Sequence, residues 1–218
     1  MGAYAERRGD PLVIHPTAIV EDDVSIGDGT AIWDHVHIRY GARIGADCIV
    51  GEKAYIAYDV RIGDLVKINN HASICAGVTI EDGAMIAAHA VFTNDRTPRA
   101  TDVEITRLRP SDPDETTLAT VVRRGATVGA NATIGPGIEL GTFCMVGMGA
   151  VVTRDVPSFT LVVGNPARFA GLVSRLGDVV WRGDAMPPDG TTIDCGADGM
   201  LVVERGSPRL AQSSSVDR

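Results

Sequence analysis

Aromatic residues make up only 5% of this 218-residue chain, although 44% of its residues are hydrophobic. Large rings ordinarily supply much of a compact core, so the apolar content must be aliphatic and repetitive. The sequence has no run of eighteen apolar residues, and its first ten residues, MGAYAERRGD, contain no apolar segment. We therefore expect neither a membrane span nor a signal peptide, and we expect a cytoplasmic protein.

Cysteine and positive charge are also scarce. The four cysteines, at positions 48, 75, 144 and 195, form no CxxC pair, which favours free thiols in a reducing compartment over disulfides or a metal site. The formal net charge is −8. That charge argues against nucleic acid as the main partner and against binding to an anionic membrane surface.

What the sequence does have is a six-residue period. From Ile14 to Phe92, all fourteen positions reached in steps of six are apolar. Up to Ile86, the residue four positions after each of them is small or β-branched. This period fits neither an α-helix nor a long alternating strand, so it predicts short strands joined by tight corners.

Three such sides make a coil of eighteen residues. About six or seven coils would stack into an aliphatic ladder with rungs about 4.8 Å apart. We expect the large residue to fill the inside of a corner and the small residue to pack inside the strand. Glycine often follows the large residue, and we expect it to permit the turn, as at Gly27, Gly45, Gly51 and Gly63.

The period stops after Phe92 and resumes at Val122. The intervening residues, 93–121, are polar and contain Pro98, Pro110 and Pro113. A long aperiodic loop inside a regular solenoid is usually functional or disordered. We favour a function, because this loop leaves the repeat beside the candidate residues described below.

The hexads, the late loop and the closing stretch VGMGAVVTRDVPSFTLVVGNPARFAG resemble the left-handed β-helix hexapeptide acyltransferases. This resemblance implies an all-β, left-handed parallel β-helix over residues 11–170, with the loop at 93–121. It also implies a homotrimer and acetyl-CoA as co-substrate. The left-handed sense rests on the resemblance alone, because the general rule for parallel crossovers favours a right-handed coil.

Three histidines fall on one line of the predicted coils. His35, Lys53, His71 and His89 are spaced by eighteen residues, which places His71 and His89 about 5 Å apart at the backbone. A histidine can accept, near neutral pH, the proton that an amine loses when it attacks a thioester. His71 and His89 are therefore candidate catalytic residues, and His35 is a candidate substrate contact. The alternative is that all three are exposed corner residues.

Three stretches resemble, more specifically, the subgroup that acetylates the 3-amino group of nucleotide-linked sugars. They are AIWDHVHIRYGARIG at 31–45, INNHASI at 68–74 and VFTNDRTPRA at 91–100. The resemblance implies an amino-sugar site at Asn94 and Asp95, with Arg99 near a carboxylate or phosphate. Further substrate candidates are Arg39, Asn69 and Asn70. Asn94 and Asp95 could instead start the loop through side-chain bonds to the backbone, and relatives that carry Asn at the position of His71 leave open a reaction without a protein base.

For the cofactor, the resemblance implies a groove between neighbouring subunits, beside the C-terminal coils. There we expect open backbone amides and arginine charge to meet CoA, although the glycines are equally explained as turn formers. The implied contacts are Gly147, Gly149, Ala150, Arg154, Asn165, Pro166 and Arg168. We expect no resident metal.

Three classes of function stay open from the sequence. The first is an N-acetyltransferase acting on a nucleotide-linked 3-amino sugar, and the second is an O-acetyltransferase or serine-type acetyltransferase acting on another small acceptor. The third is a non-catalytic or carbonic-anhydrase-like β-helix, in which histidines would bind zinc across subunits. The stretches TNDRTPR and GNPAR favour the first. No nucleophile motif is present, so we expect direct attack by the amine.

After the hexads, residues 171–218 form a predicted tail. LVSRLGD at 172–178 is a candidate short helix, and TTIDCGADGMLVVERGSPRL at 191–210 suggests a hairpin. A single cysteine, Cys195, does not support a four-ligand zinc site in this tail. The last residues, AQSSSVDR, are polar and are expected to be disordered.

Overall fold

The computed structural model describes residues 11–110, 112–114 and 116–211. Over these residues the chain consists of short β-strands, turns and one 3-10 helix, and it is wound into a left-handed parallel β-helix that is followed by a three-stranded sheet. The predicted fold class is confirmed. The sequence MGAYAERRGD and residues 212–218 of the predicted disordered end lie outside the described residues, and the division of the chain at residue 170 stays a prediction.

Three sheets form the sides of the β-helix, and successive strands pass from sheet A to sheet B to sheet C. Sheet A contains β1 (Val13–Ile14), β4 (Ala31–Ile32), β7 (Ile49–Val50), β10 (Lys67–Ile68), β13 (Met85–Ile86), β16 (Thr127–Val128), β19 (Met145–Val146), β21 (Thr160–Val163), β22 (Arg168–Val173) and β23 (Val179–Arg182). Sheet B contains β2 (Ile19–Val20), β5 (His37–Ile38), β8 (Tyr55–Ile56), β11 (Ser73–Ile74), β14 (Val91–Phe92), β17 (Thr133–Ile134) and β20 (Val151–Val152). Sheet C contains β3 (Ser25–Ile26), β6 (Arg43–Ile44), β9 (Arg61–Ile62), β12 (Val78–Ile80), β15 (Thr120–Val122) and β18 (Glu139–Leu140).

Strands of one sheet pair in parallel at the predicted spacing of eighteen residues, as Ile14 does with Ile32. Across the loop, Met85 pairs with Thr127. The separation of these two residues exceeds eighteen by a whole number of hexads, namely four. The inserted loop therefore keeps the register of the strands. The β-helix has about eight turns rather than six or seven, because β21 adds a parallel strand after the hexads end.

The large aliphatic residues line the interior, but not at the predicted place. Each is the last residue of its short strand, as are Ile38, Ile56 and Ile74, which are 0% exposed. The small residue comes after the turn, just before the next strand. The predicted arrangement, with the large residue in the corner, is therefore wrong. A tight corner encloses less interior volume than the middle of a side, so the bulky side chain fits mid-side.

The glycines that follow the large residues also have a different role from the predicted one. Gly51 has no positive φ, and a Cβ on it would lie 2.6 Å from the backbone nitrogen of Asn70 in the next coil. Gly27 and Gly63 are similarly crowded by backbone atoms of the next coil. These glycines allow close stacking of the coils, and the left-handed turn residue lies two positions later, as at Gly41 with φ +71°.

Each coil has three corners, one between each pair of sheets. The A–B corner is the row of turns that lead from sheet A to sheet B, such as residues 33–36, 69–72 and 87–90. The B–C corner is the row that leads from sheet B to sheet C, such as residues 39–42, 57–60 and 135–138. One side of the triangular coil, formed by sheet B, separates the two corners.

The last coil is covered by the C-terminal strands. After β21, strands β22 and β23 continue sheet A in the antiparallel sense. A separate sheet of β24 (Thr192–Asp194), β25 (Met200–Glu204) and β26 (Ser207–Leu210) follows, with a 3-10 helix over Gly196–Asp198. Buried side chains that join this sheet to the last coil include Phe159, Leu172, Ile193, Cys195, Leu201 and Val203. The cover protects a sheet edge that would otherwise be open to pairing.

The tail is thus partly as predicted. The expected hairpin is present as β24–β26, whereas the expected helix at LVSRLGD is wrong. Residues 172–173 end strand β22, and residues 174–178 turn into β23, because Leu172 and Val173 are buried and paired in a sheet. Among the described residues, no helix is long and apolar enough to cross a membrane.

Candidate active site

The candidate histidines occupy the left-handed turn position of the A–B corner. His35, His71 and His89 have φ of 56°, 59° and 59°, and Lys53 between them has φ 56°. Histidine tolerates this conformation better than most residues with a Cβ. Each turn is hydrogen-bonded to the preceding coil. The backbone N–H of His71 donates to Glu52 O at 3.0 Å, and that of His89 donates to Asn70 O at 3.1 Å.

His71 and His89 form the closest pair on this corner. Their rings stack with centroids 4.7 Å apart and an angle of 11° between planes. The amide of Asn70 lies 3.1 Å from Nδ1 of His71, measured at Asn70 Nδ2. Because an asparagine amide can present either its oxygen or its nitrogen, Asn70 can accept a hydrogen bond from Nδ1–H and leave Nε2 of His71 as the free proton acceptor.

His35 does not join this pair. It lies two coils away, its Nδ1 is 3.3 Å from Asp34 Oδ2, and its backbone N–H donates to Thr17 Oγ1. Lys53, on the coil between, pairs with Glu52 at 2.9 Å. Among the described residues, no three His, Cys, Asp or Glu side chains converge as a metal site would require.

Arg39, a predicted substrate contact, belongs to a polar cluster on the B–C corner. Its Nε lies 2.6 Å from Glu21 Oε1 in an ion pair, although that N–H is not directed at an acceptor, and its Nη1 donates to Tyr55 Oη at 3.1 Å. His37 Nε2 also lies 2.8 Å from Glu21 Oε1. The guanidinium of Arg39 beside it, and then the contact with His37, lower the pKa of Glu21 to about 2.

The sequence interpretation missed the other members of this cluster. Tyr40 stacks on Tyr58 at 5.0 Å, and the Arg39 guanidinium lies 4.8 Å from the Tyr58 ring centre. Glu21 with Arg39, and Tyr40 with Tyr58, are each spaced by eighteen residues. The spacing rule that found the histidine line would have found these pairs as well.

The loop leaves the β-helix at the B–C corner after β14 and returns at Thr120, so it spans residues 93–119. Its base is held at both ends, because Thr93 Oγ1 donates to Ile134 O and the Leu118 N–H donates to Asn94 O, each at 3.0 Å. Asp95 Oδ1 accepts from the Thr97 N–H at 2.7 Å. The Asp95 carboxylate therefore starts a turn, as the alternative interpretation of this residue expects.

The histidine pair and the loop residues lie on different corners of one chain. His71 precedes strand β11, and the B–C corner begins after that strand, so Ala76 lies five residues beyond His71. At about 3.3 Å per residue of extended chain, this is about 17 Å. Asn69 and Asn70 lie with the histidines, whereas Asn94, Asp95, Arg99 and Arg39 belong to the B–C corner and its loop.

The predicted cofactor residues also fall into two groups. Gly147, Gly149 and Ala150 continue the A–B corner beyond His89, but their amides are not open. They donate to Val162 O, Ala130 O and Gly147 O, at 2.8, 2.8 and 3.2 Å. The expectation of free amides is wrong, because bonds between coils use the N–H groups of Gly147 and Gly149, and a bond within the turn uses that of Ala150. Gly149 does leave open space, since a Cβ there would meet no atom within 4 Å.

The second group lies near the B–C corner of the last coils. Arg154 and Arg168 line a cavity of about 240 Å³ together with Phe169 and Met186. Arg154 also borders a neighbouring cleft of about 540 Å³. Asn165 and Pro166, joined by a cis peptide bond, lie in the exposed turn between β21 and β22.

The four thiols are poor nucleophiles in this fold. All four cysteines are free, and Cys48 and Cys144 are 1% exposed, as the repeat predicts. Burial raises the pKa of Cys144 to about 12, and it raises the pKa of Cys75, the thiol nearest the histidines in sequence. A high thiol pKa leaves little thiolate at neutral pH.

Comparison with known proteins agrees with this architecture. The family described as bacterial transferase hexapeptide (six repeats) matches residues 23–58 and 59–94, and that described as hexapeptide repeat of succinyl-transferase matches 124–154. The dTDP-3-amino-3,6-dideoxy-α-D-galactopyranose 3-N-acetyltransferase of Aneurinibacillus thermoaerophilus is 46% identical over 162 residues, covering 74% of this chain and 79% of that protein.

Solved structures of lower similarity also match. A mutant of the GDP-perosamine N-acetyltransferase of Caulobacter crescentus, in complex with CoA and GDP-perosamine, is 24% identical with a TM-score of 0.43, covering 74% of this chain. WeeI of Acinetobacter baumannii AYE is 29% identical with a TM-score of 0.46, covering 72% of this chain. The chain spans 57% and 56% of the lengths of these two proteins. By its repeats and by the 46% identity of the Aneurinibacillus enzyme over most of both chains, this chain belongs to the left-handed β-helix hexapeptide-repeat acyltransferase family.

Proposed function

We propose that this chain transfers the acetyl group of acetyl-CoA to the 3-amino group of a nucleotide-linked amino sugar, in the cytoplasm. The observation that carries the proposal is the stacked His71–His89 pair, with Asn70 at Nδ1 of His71. The pair offers a proton acceptor on the coil from which the loop leaves. The acceptor class comes from the Aneurinibacillus relative, whose name specifies a 3-amino sugar linked to dTDP.

In the proposed reaction the neutral sugar amine attacks the thioester carbonyl carbon directly. The C–N bond forms, the C–S bond breaks, and the amine proton passes to Nε2 of His71, or to His89 through water. That proton then neutralises the departing CoA thiolate, so the histidine is regenerated. Much of the rate comes from holding the two substrates in line. The raised thiol pKa of Cys75 supports a transfer without an acyl-enzyme.

We further propose that the enzyme is a homotrimer in which the loop of one subunit completes the site of the next. The support is geometric, since within one chain the histidines and the loop lie on different corners. The loop also carries Val103, Ile105 and Leu108, which are 93%, 79% and 78% exposed. Three large aliphatic side chains so close together in the chain are typical of a contact surface.

The trimer proposal predicts a mass in solution three times the 22.9 kDa of the chain, measured by light scattering. Replacing Val103 and Ile105 together with serine should weaken assembly, because it removes apolar area from the contact. Leu176→Ser, at another exposed aliphatic position, is the matched control. A monomer at micromolar concentration that is fully active would contradict the proposal.

The proposed function predicts that thiol release from acetyl-CoA depends on an amino-sugar acceptor. A panel of nucleotide-linked sugars with 3-amino, 4-amino or only hydroxyl groups should give the highest kcat/KM with a 3-amino sugar, because the site must hold that nitrogen at the thioester. A preference for a hydroxyl acceptor would identify an O-acetyltransferase instead. Stoichiometric zinc in the purified protein, with no transfer to any acceptor, would support a zinc β-helix.

A further inference from the structure

A polar cleft lies where the base of the loop meets the last coils of the β-helix. It encloses about 540 Å³. Two stacked turns of the B–C corner, residues 135–138 and 153–155, form its walls, and Arg96 reaches it from the loop. Arg154, in the second of these turns, also borders the more apolar cavity lined by Phe169 and Met186.

Arg96 and Leu118 both lie close to Gly137, which lines this cleft. An added Cβ on Gly137 would lie 3.2 Å from Leu118 Cβ and 3.6 Å from Nη2 of Arg96. Leu118 is itself bonded to Asn94 across the base of the loop. Gly137 has φ +68°, so glycine suits this turn in conformation as well as in space.

The two arginines are available to bind an anion. Neither Arg96 nor Arg154 takes part in any of the ion pairs formed among the described residues. Asp155 is the carboxylate on the cleft wall, and its Oδ1 accepts from the Glu139 N–H at 2.8 Å. The lining thus has a net positive charge on a chain whose formal charge is −8.

We propose that this cleft binds a diphosphate, with Arg96 donating to it from the loop and Arg154 from the turn at 153–155. The ligand class rests on the proposed function, since CoA and a nucleotide-linked sugar both carry a diphosphate. Guanidinium groups match phosphate oxygens in pairs. The adjoining apolar cavity suits the less polar part of the same ligand. The loop therefore takes part in ligand binding through Arg96 and not only through the residues already assigned to the sugar.

Titration calorimetry with CoA, and separately with thymidine diphosphate, tests the proposal without requiring turnover. Arg96→Gln and Arg154→Gln should each weaken binding of the same ligand by about 10-fold to 100-fold, because each removes a hydrogen bond to a charged group. Arg96→Lys should recover part of the loss. Arg61→Gln, which removes an equal charge from the exposed face of sheet C, should bind both ligands like the wild type.

The two ligands distinguish the sources of the diphosphate. Weaker binding of CoA alone assigns the cleft to the cofactor, and weaker binding of thymidine diphosphate alone assigns it to the acceptor. Unchanged affinity of Arg96→Gln for both ligands overturns the proposal. The thiol-release panel reports separately on function, so weakened binding with no acetyl transfer would retain the anion site while rejecting the proposed reaction.

Discussion

Replacing His71 with alanine is expected to lower kcat by about 10²-fold to 10⁴-fold, the usual contribution of a general base. The KM for acetyl-CoA should change little, because His71 is proposed to contact the amine and not the cofactor. His71→Asn is the better matched variant, since asparagine tolerates the left-handed backbone at φ 59° but cannot accept the proton. Both variants are measured by thiol release from pH 6 to pH 9.

Lys53→Ala is the control for this experiment, because Lys53 occupies the same left-handed position on the neighbouring coil. It should keep most of the wild-type kcat, and its thermal stability shows what the backbone conformation alone costs. If His71→Asn retains near-normal kcat across the whole pH range, the substrate amine needs no protein base. His71 and His89 would then be sugar-binding residues. A covalent acetyl group trapped on Cys75 would overturn direct transfer altogether.

Phe92→Ala is expected to lower the free energy of unfolding by about 3–5 kcal/mol, the usual cost of removing a buried aromatic ring. Phe92 is 0% exposed and is the last rung before the loop. The residual cavity would lie directly beneath the base that holds Thr93 and Asn94. Urea unfolding at a fixed protein concentration measures the effect, because assembly contributes to apparent stability.

Val91→Ala on the same strand is the matched control for Phe92. Val91 points outward and is 37% exposed, so its replacement should cost less than about 1 kcal/mol. Similar losses for the two variants would show that the interior ladder does not dominate stability. Val91 would in that case contribute through contacts with another subunit, and the loss should then depend on protein concentration.

The hexad pattern predicts the ladder well because the fold is nearly one-dimensional. Each coil contacts only its neighbours, so a pattern of six residues determines which side chains face inward. The same spacing places His71 beside His89 without any long-range information. The left-handed sense is different, because it depends on a family resemblance and not on any residue in the repeat.

Backbone hydrogen bonding is where sequence reasoning failed. Glycines at positions 147 and 149 were expected to leave free amides for CoA, but an amide in a stacked coil donates to the coil beside it. Gly51 was expected to make a turn, yet the structure needs it for close stacking. In both cases the pattern located the residue correctly, and the contact with the next coil determined its role.

Side-chain pairing across coils was only partly predictable. The family resemblance predicts Arg39 as a substrate contact. In the structure Arg39 forms an ion pair with Glu21, a hydrogen bond to Tyr55 and a cation–π contact with Tyr58. The cleft beneath Arg96 could not be foreseen, because the period says nothing about where an inserted loop packs. Its position depends on Gly137, which belongs to a coil, and on Leu118, which belongs to the loop.

The shared left-handed position on the A–B corner allows the coils to vary independently of the interior. A side chain there faces outward, whereas the side chains one and three positions later are buried in the interior. Loss or duplication of any eighteen-residue unit would leave every remaining rung in register. The distance between the histidine pair and the loop can therefore change only in steps of about 4.8 Å.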